Sequence, residues 1–171
     1  MLATHQKTLD RLVAENCSRL FADYKFEIRR GEPGESFAAE RFLLCGMIGF
    51  TSKHMRGALV LATTRQPLER TNPAPNPSHR DWICELVNQL LGRVKNQMLT
   101  RGVKIFQSTP IALRGEHLSP VLQHRLIAEL FTAEGGAVGV WMDCEFDDEF
   151  EISDVNVDEA PPVAEGETLL F

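Results

Sequence analysis

Two polar side chains on one predicted helix, Glu85 and Asn88, are the residues best placed to do chemistry. They are three positions apart, so on an α-helix they are neighbours on the surface. A carboxylate accepts hydrogen bonds and pairs with cations, whereas a carboxamide both donates and accepts hydrogen bonds. A carboxamide is no general base near neutral pH, but it can hold one water in line with a reacting group.

The helix that carries them is the stretch DWICELVNQLLGRVKNQMLT. Its polar side holds the acid and the amide together with Asp81, Gly92 and Lys95. A glycine inside a helix costs about 1 kcal/mol relative to alanine, so Gly92 on this side indicates space left for a partner. We therefore predict that Asp81, Gly92 and Lys95 form a docking face. At about 100° per residue the apolar positions share the other side, which is typical of a helix packed on a core: Ile83, Leu86, Val87, Leu90, Leu91, Val94 and Met98.

Both ends of this helix have recognisable signals. Ser78 is the predicted N-cap, with Asp81 three residues further on as a capping-box-like partner. Gly102 is a plausible C-terminal glycine. The preceding stretch, residues 66–78, contains four prolines and is predicted to be a loop that cannot continue a helix or strand.

The other elements follow from hydrophobic periodicity. The patterns predict a helix over 6–22, strands over 24–29, 37–50, 55–64, 103–107, 126–133 and 137–146, and a connection over 111–124. Two of the strand pairs are separated by short polar or glycine-rich breaks and are predicted hairpins. The order predicts an α+β protein with an antiparallel-rich sheet packed with two long helices.

Charge divides the chain into a domain over 1–146 and a tail over 147–171. The formal net charge is −6, but nine acids and no Lys or Arg follow residue 146, so the first 146 residues carry a formal +3. The tail lacks periodicity and is predicted to be mobile. There is no strong basic patch, which argues against nucleic-acid binding.

No familiar catalytic or metal-binding motif is present. GxSxG, a Walker loop, HExxH and GxGxxG are all missing, and the four cysteines and five histidines have no metal-ligand spacing. No apolar run approaches the roughly 20 residues that span a bilayer, and the N-terminus has no signal-peptide pattern. We therefore expect a cytoplasmic protein without a metal site or a cofactor of its own.

The run ELVNQLLGRVK resembles the signature helix of the CheX/CheC-type chemotaxis phosphatases, in which E-x-x-N is followed by glycine four residues after the asparagine. MIGFTSKHMRGALVLAT resembles the strand pair that precedes this helix. KIFQSTPIALRGE resembles the strand and Thr-Pro turn that follow it, and the resemblance covers roughly residues 40–146. A single E-x-x-N helix is similar to the CheX type, and Ser52 stands where relatives often have glycine.

The resemblance implies a phosphatase that hydrolyses the phospho-aspartate of a CheY-type response regulator. Asn88 would orient the attacking water and Glu85 would pair with the regulator's lysine. Mg²⁺ would be supplied by the bound regulator, and the chain would form a homodimer through its sheet. The alternative is a non-catalytic interaction module of the same fold that docks to a signalling or flagellar partner. A small-ligand sensor has no sequence feature in its favour.

Overall fold

The structure is a computed structural model that describes residues 2–31, 44–74, 78–115 and 127–153, together with Val121 and Gln123. Its elements in chain order are α1 (Leu2–Asp23), β1 (Ile28–Arg30), β2 (Leu44–Thr51), β3 (Met55–Thr63), α2 (Arg65–Thr71), α3 (His79–Leu99), β4 (Phe106–Gln107), β5 (Ile111–Arg114), β6 (Ile127–Ala133) and β7 (Gly136–Phe146).

The seven strands form one sheet in the order β1-β6-β7-β3-β2-β4, and β5 also pairs with β2. Every pairing is antiparallel. Because side chains alternate along a strand, each strand faces the long helices α1 and α3 with every second residue. The main core lies between these helices and that side of the sheet. The predicted α+β architecture, with two long helices on an antiparallel sheet, is confirmed.

α3 is the predicted central helix, and its two ends match their sequence signals. The Ser78 hydroxyl accepts a hydrogen bond from the backbone N–H of Asp81 at 3.2 Å, which is the N-cap contact. The last helical residue is Leu99, and Gly102 follows with a φ of +84°. Val103 N–H bonds to the Met98 carbonyl and Gly102 N–H to the Leu99 carbonyl, the pair of bonds that defines a Schellman motif.

Gly46 lets α3 lie directly against the sheet. A Cβ built at this position of β2 would be 2.7 Å from the Ile83 carbonyl oxygen and 3.0 Å from Val87 Cγ1. Real Cβ atoms essentially never approach a backbone oxygen this closely. The close approach brings the apolar side of α3 into the core, where Ile83 and Val87 are fully buried.

The two predicted hairpins are present. β2 pairs along its whole length with β3, from Leu44 with Thr63 to Thr51 with Arg56. β6 and β7 pair from Ile127 with Met142 to Ala133 with Gly136. The first prediction began at residue 37, and residues 37–43 lie outside the described part of the chain.

The predicted loop over 66–78 is wrong in its first part, because α2 occupies Arg65–Thr71. Pro67 falls in the first turn of this helix, where its missing N–H would have no intrahelical partner anyway. Thr71 then accepts a 3.0 Å hydrogen bond from the Trp82 indole N–H, which joins α2 to α3. Pro67 thus lies at one of the few helix positions that tolerate a proline.

The predicted strand over 24–29 is also wrong in its first part. α1 ends in a turn in which Lys25 has a φ of +57°, and Phe26 N–H bonds to the Phe21 carbonyl. Lysine rarely adopts this left-handed conformation, so no sequence pattern predicts the turn. Strand β1 covers only Ile28–Arg30.

The region after α3 differs from the prediction in two ways. The strand predicted over 103–107 is reduced to Phe106–Gln107, with Val103 and Ile105 buried ahead of it. The connection predicted over 111–124 contains strand β5, which pairs residues Ile111–Arg114 with the first half of β2. Two short strands thus share one edge of β2. Periodicity over so few residues is a weak signal.

The first residues of the acidic segment pack on the domain. Phe150 and Ile152 are buried in the main core, and the Phe150 ring meets the ring of Phe146 at 4.5 Å between centroids. The packed chain therefore continues past residue 146. Residues 154–171, where mobility was predicted, lie outside the described part.

No helix among the described residues is both long enough and apolar enough to cross a membrane.

Candidate functional site

The structure places Glu85 and Asn88 on the side of α3 that faces away from the core. Glu85 is exposed and Asn88 is half-buried, whereas Leu86 and Val87 between them are fully buried. The two polar side chains are therefore neighbours on one helix surface. The opposite side of the same helix is buried in the core. Their position fits the geometry that the sequence predicts.

α3 is fixed laterally by polar contacts with α1. The Arg93 guanidinium donates to Asp23 at 2.6 Å, and Asn16 Nδ2 donates to Gln97 Oε1 at 2.8 Å. Asn16 is itself buried and donates a second bond to the Leu12 carbonyl. These contacts join α3 to α1 at two levels along the helix pair.

Glu85 belongs to a short chain of hydrogen bonds that leads back to the end of α1. Gln89 Nε2 donates to Glu85 Oε1 at 2.7 Å, and the Tyr24 hydroxyl donates to Gln89 Oε1 at 2.9 Å. The Tyr24 ring meets the buried Trp82 ring edge-on, with centroids 5.0 Å apart. The carboxylate is thus oriented while its second oxygen is left for another donor.

Asn88 is contacted by β4 at the edge of the sheet, on the side of α3 away from α1. Gln107 Nε2 of β4 donates to Asn88 Oδ1 at 2.7 Å. In the sheet, Gln107 pairs with Phe50, whose side chain is buried on the helix side. Strand alternation therefore directs the Gln107 side chain toward α3.

The remaining residues of the predicted docking face lie along the same side of α3. Asp81 is exposed, and its hydrogen bond from Ser78, followed by the one from Arg80, lowers the pKa of its carboxyl. Gly92 is open: a Cβ built there meets nothing within 4 Å. Lys95 is half-buried one turn further on. Asp81 and Lys95 thus place a negative and a positive charge on this surface. Gly92 lies between them along the helix and has no side chain.

The acids near the end of β7 are paired with basic groups. Glu145 bonds to Arg56 at 2.7 Å, and Asp147 lies 2.9 Å from His54 Nδ1, which lowers the pKa of Asp147. Within the described ranges, no three His, Cys, Asp or Glu side chains come close enough together to hold a metal ion.

The four cysteine side chains are free thiols that lie wholly or partly in the interior. Cys17, Cys45 and Cys144 are buried and Cys84 is half-buried. Burial raises the pKa of Cys45 to about 11 and raises the pKa of each of the others. A thiol held protonated is a poor nucleophile and a poor metal ligand.

Three residues that form hydrogen bonds at the site were not predicted from the sequence: Tyr24, Gln89 and Gln107. For Gln107 a signal existed. In the alternation Val103, Ile105, Gln107 the glutamine shares the face of two apolar residues, so it is a polar side chain directed at the helices. Tyr24 had no comparable signal, because its position depends on the turn that closes α1.

Comparison with solved structures identifies the architecture. The CheX chemotaxis protein from Vibrio vulnificus matches with a TM-score of 0.69 at 15% identity, over 80% of this chain and 96% of that one. The fold is that of the CheX and CheC-like proteins. A CheC-like superfamily protein from Shewanella sp. PV-4 matches with the same TM-score at 16% identity, over 80% of this chain and 97% of that one.

The CheX of Borrelia burgdorferi, solved as a CheX-CheY-BeF3-Mg²⁺ complex, matches with a TM-score of 0.59 at 14% identity. The match covers 78% of this chain and 96% of that one. No protein-family model matches the chain, and no curated protein matches its sequence. The CheX-like architecture is therefore shown by three-dimensional similarity.

Proposed function

We propose that this protein hydrolyses the phospho-aspartate of a CheY-type response regulator in chemotaxis or a related two-component pathway. The observation that carries the proposal is that the exposed Glu85 and the half-buried Asn88 lie side by side on a helix whose other side is buried. The fold supports it, because a CheX of this fold occurs in a complex with CheY, BeF3 and Mg²⁺.

In this proposal Asn88 enters the active site of the regulator and orients the attacking water. Phosphoryl transfer depends mostly on positioning and on stabilisation of charge, and a glutamine carboxamide orients the water in some GTPases. Asn88 has two N–H donors and an oxygen with two lone pairs. Even after its oxygen accepts the Gln107 bond, the amide retains groups that can contact both a water and a phosphoryl oxygen.

Glu85 docks the helix by pairing with the active-site lysine of the regulator. The Gln89 bond occupies one carboxylate oxygen, so the other is available to an incoming ammonium group. The phosphatase needs no cofactor of its own in this scheme. Mg²⁺ is bound by the regulator, where it offsets charge on the phosphoryl oxygens.

The test is a dephosphorylation assay with response regulators charged by acetyl phosphate. Candidate regulators are those that co-purify with the protein. We expect faster loss of phosphate with wild-type protein, and a KM about tenfold higher for Glu85→Ala, because the variant removes a docking charge while Asn88 remains. Binding of the phosphorylated regulator without turnover would instead assign the protein as an interaction module that docks to a signalling or flagellar partner.

Gly92 gives a second test of the docking face, in which Asp81 and Lys95 also lie. Gly92→Ala is expected to stabilise the fold by about 1 kcal/mol, because alanine is the better helix former and meets nothing there. Gly92→Leu should leave folding intact but raise KM for the phosphorylated regulator at least about tenfold, since the larger side chain projects into the interface. Denaturant unfolding and steady-state kinetics measure the two effects. Equal KM values for both variants would contradict the docking face.

The homodimer is proposed to form through the face of the sheet opposite α1 and α3, defined by Phe106, Ile111 and Leu113. These side chains are 46%, 50% and 48% exposed. Ile111 and Leu113 pair with Met47 and Cys45, whose side chains also point away from the helices. Several large apolar side chains exposed on one face of a sheet favour a protein–protein interface there.

Light scattering after size-exclusion chromatography tests this surface. Wild-type protein is expected to elute with the mass of a dimer, and Leu113→Glu with that of a monomer, because a buried unpaired carboxylate opposes association. Arg11→Glu, which places the same acid at an exposed position on α1, is the matched control and should remain dimeric. A dimeric Leu113→Glu protein would contradict this interface.

A further inference from the structure

The contact between Gln107 and Asn88 links the sheet edge to the proposed site. Gln107 Nε2 lies 2.7 Å from Asn88 Oδ1, and the two residues are on different elements, β4 and α3. We propose that Gln107 is a positioning residue, which fixes the orientation of the Asn88 carboxamide before the regulator arrives. This inference rests on the proposed phosphatase function.

The strand end that carries Gln107 is well anchored. Its neighbour Ser108 bonds twice to Gly49 of β2: Ser108 N–H donates to the Gly49 carbonyl at 2.9 Å, and Ser108 Oγ accepts from Gly49 N–H at 3.0 Å. Gln107 itself is in register with Phe50. The sheet therefore fixes the backbone of Gln107 independently of α3.

An asparagine needs such a contact if its carboxamide is to hold a water in one orientation. The last torsion of an asparagine side chain is broad and roughly two-fold, so an unrestrained carboxamide samples orientations that exchange oxygen and nitrogen. The N–H donor of Gln107 selects the orientation in which Asn88 Oδ1 faces β4. The two Nδ2 hydrogens then point away from the sheet edge, toward the side from which a partner can approach.

The two glutamines around the site divide their roles. Gln107 contacts Asn88, which acts on the water, whereas Gln89 contacts Glu85, which acts in docking. Loss of one contact should therefore affect a different kinetic constant from loss of the other. This difference separates a positioning role from general loosening of the domain, which would change both constants in either variant.

The experiment compares Gln107→Met with Gln89→Met in the phosphatase assay. Methionine keeps the length of the side chain but cannot donate the bond. For Gln107→Met we expect kcat to fall about tenfold with KM within about twofold of wild type, since a small misplacement of a reacting group is costly in rate. For Gln89→Met we expect the reverse, a KM raised about fivefold and a nearly unchanged kcat, because docking through Glu85 is weakened.

The side-chain amide signals of Asn88 in ¹⁵N NMR spectra test the contact without any activity. They should shift and lose order in Gln107→Met but not in Gln89→Met. Unchanged Asn88 signals, or a wild-type kcat in Gln107→Met, would overturn the positioning role. If the wild-type protein turns over no regulator, the proposed function fails, whereas the amide signals still decide whether Gln107 holds Asn88.

Discussion

Asn88→Ala is expected to lower kcat for phospho-regulator hydrolysis by about 100-fold, because the variant removes the group that holds the water in line. KM should change little, since Glu85 and the rest of the α3 surface still dock the regulator. The protein should fold normally: Asn88 is half-buried on the polar side, and the bond from Gln107 that it loses is at the surface. Single-turnover decay of the phosphorylated regulator measures the effect on the chemical step.

Asn96→Ala is the matched control for this prediction. Asn96 is another half-buried asparagine on α3, two turns beyond Asn88, so the same substitution is made in the same helix. The control should keep wild-type rates. An Asn88→Ala protein that is as active as Asn96→Ala would show that the proposed catalytic role is wrong, even if the regulator still binds.

Gly46→Val is expected to destabilise the domain by about 3 kcal/mol, toward the upper end of overpacking effects. The new side chain would collide with the Ile83 carbonyl oxygen and with Val87. The Ile83 carbonyl lies in the second turn of α3 and cannot move away unless the helix shifts. We therefore expect a lower free energy of unfolding together with loss of turnover, because a displaced α3 carries Glu85 and Asn88 with it.

Gly49→Ala on the same strand is the control. A Cβ built at Gly49 comes within 3.2 Å of the Ser108 hydroxyl, which belongs to a small side chain and not to a helix backbone. The expected loss is below about 1 kcal/mol, since a small overlap with a side chain can be relieved. Urea unfolding of both variants measures the difference, and equal losses would show that α3 does not rest on Gly46 as described.

The sequence was sufficient for the parts of the fold that have long, regular patterns. The apolar stripe of α3, its Ser78 cap and the hairpin with the break before Met55 were all predicted correctly. In each case one stretch of chain holds the whole signal: periodicity defines the element, and a polar or glycine residue ends it. The position of Glu85 and Asn88 on the side of α3 away from the core follows directly from this periodicity.

The errors concern elements whose formation depends on distant residues. α2 was predicted to be a loop because of Pro67, but Thr71 on α2 is bonded to Trp82 eleven positions along the chain. β5 is four residues long and exists as a strand because β2 offers it an edge. Tertiary contacts decide the state of such short segments, and local propensity carries little information about them.

The residues that support the site also depend on distant parts of the chain. The pair on α3 could be found from spacing, but its supports could not. Gln107 is 19 positions from Asn88, and Tyr24 is 65 positions from Gln89. These contacts exist only because α1 and β4 flank α3 on opposite sides. Only the assembled fold brings the two supports next to the helix.

The divided edge of β2 has a consequence for how copies of this protein can associate. Beyond β2 lie β5 with four residues and β4 with two, and Pro110 interrupts the chain between them. Pro110 has no backbone N–H to offer, and strands this short present few unpaired groups in a row. This edge of the sheet is therefore a poor template for strand-by-strand growth into fibrils.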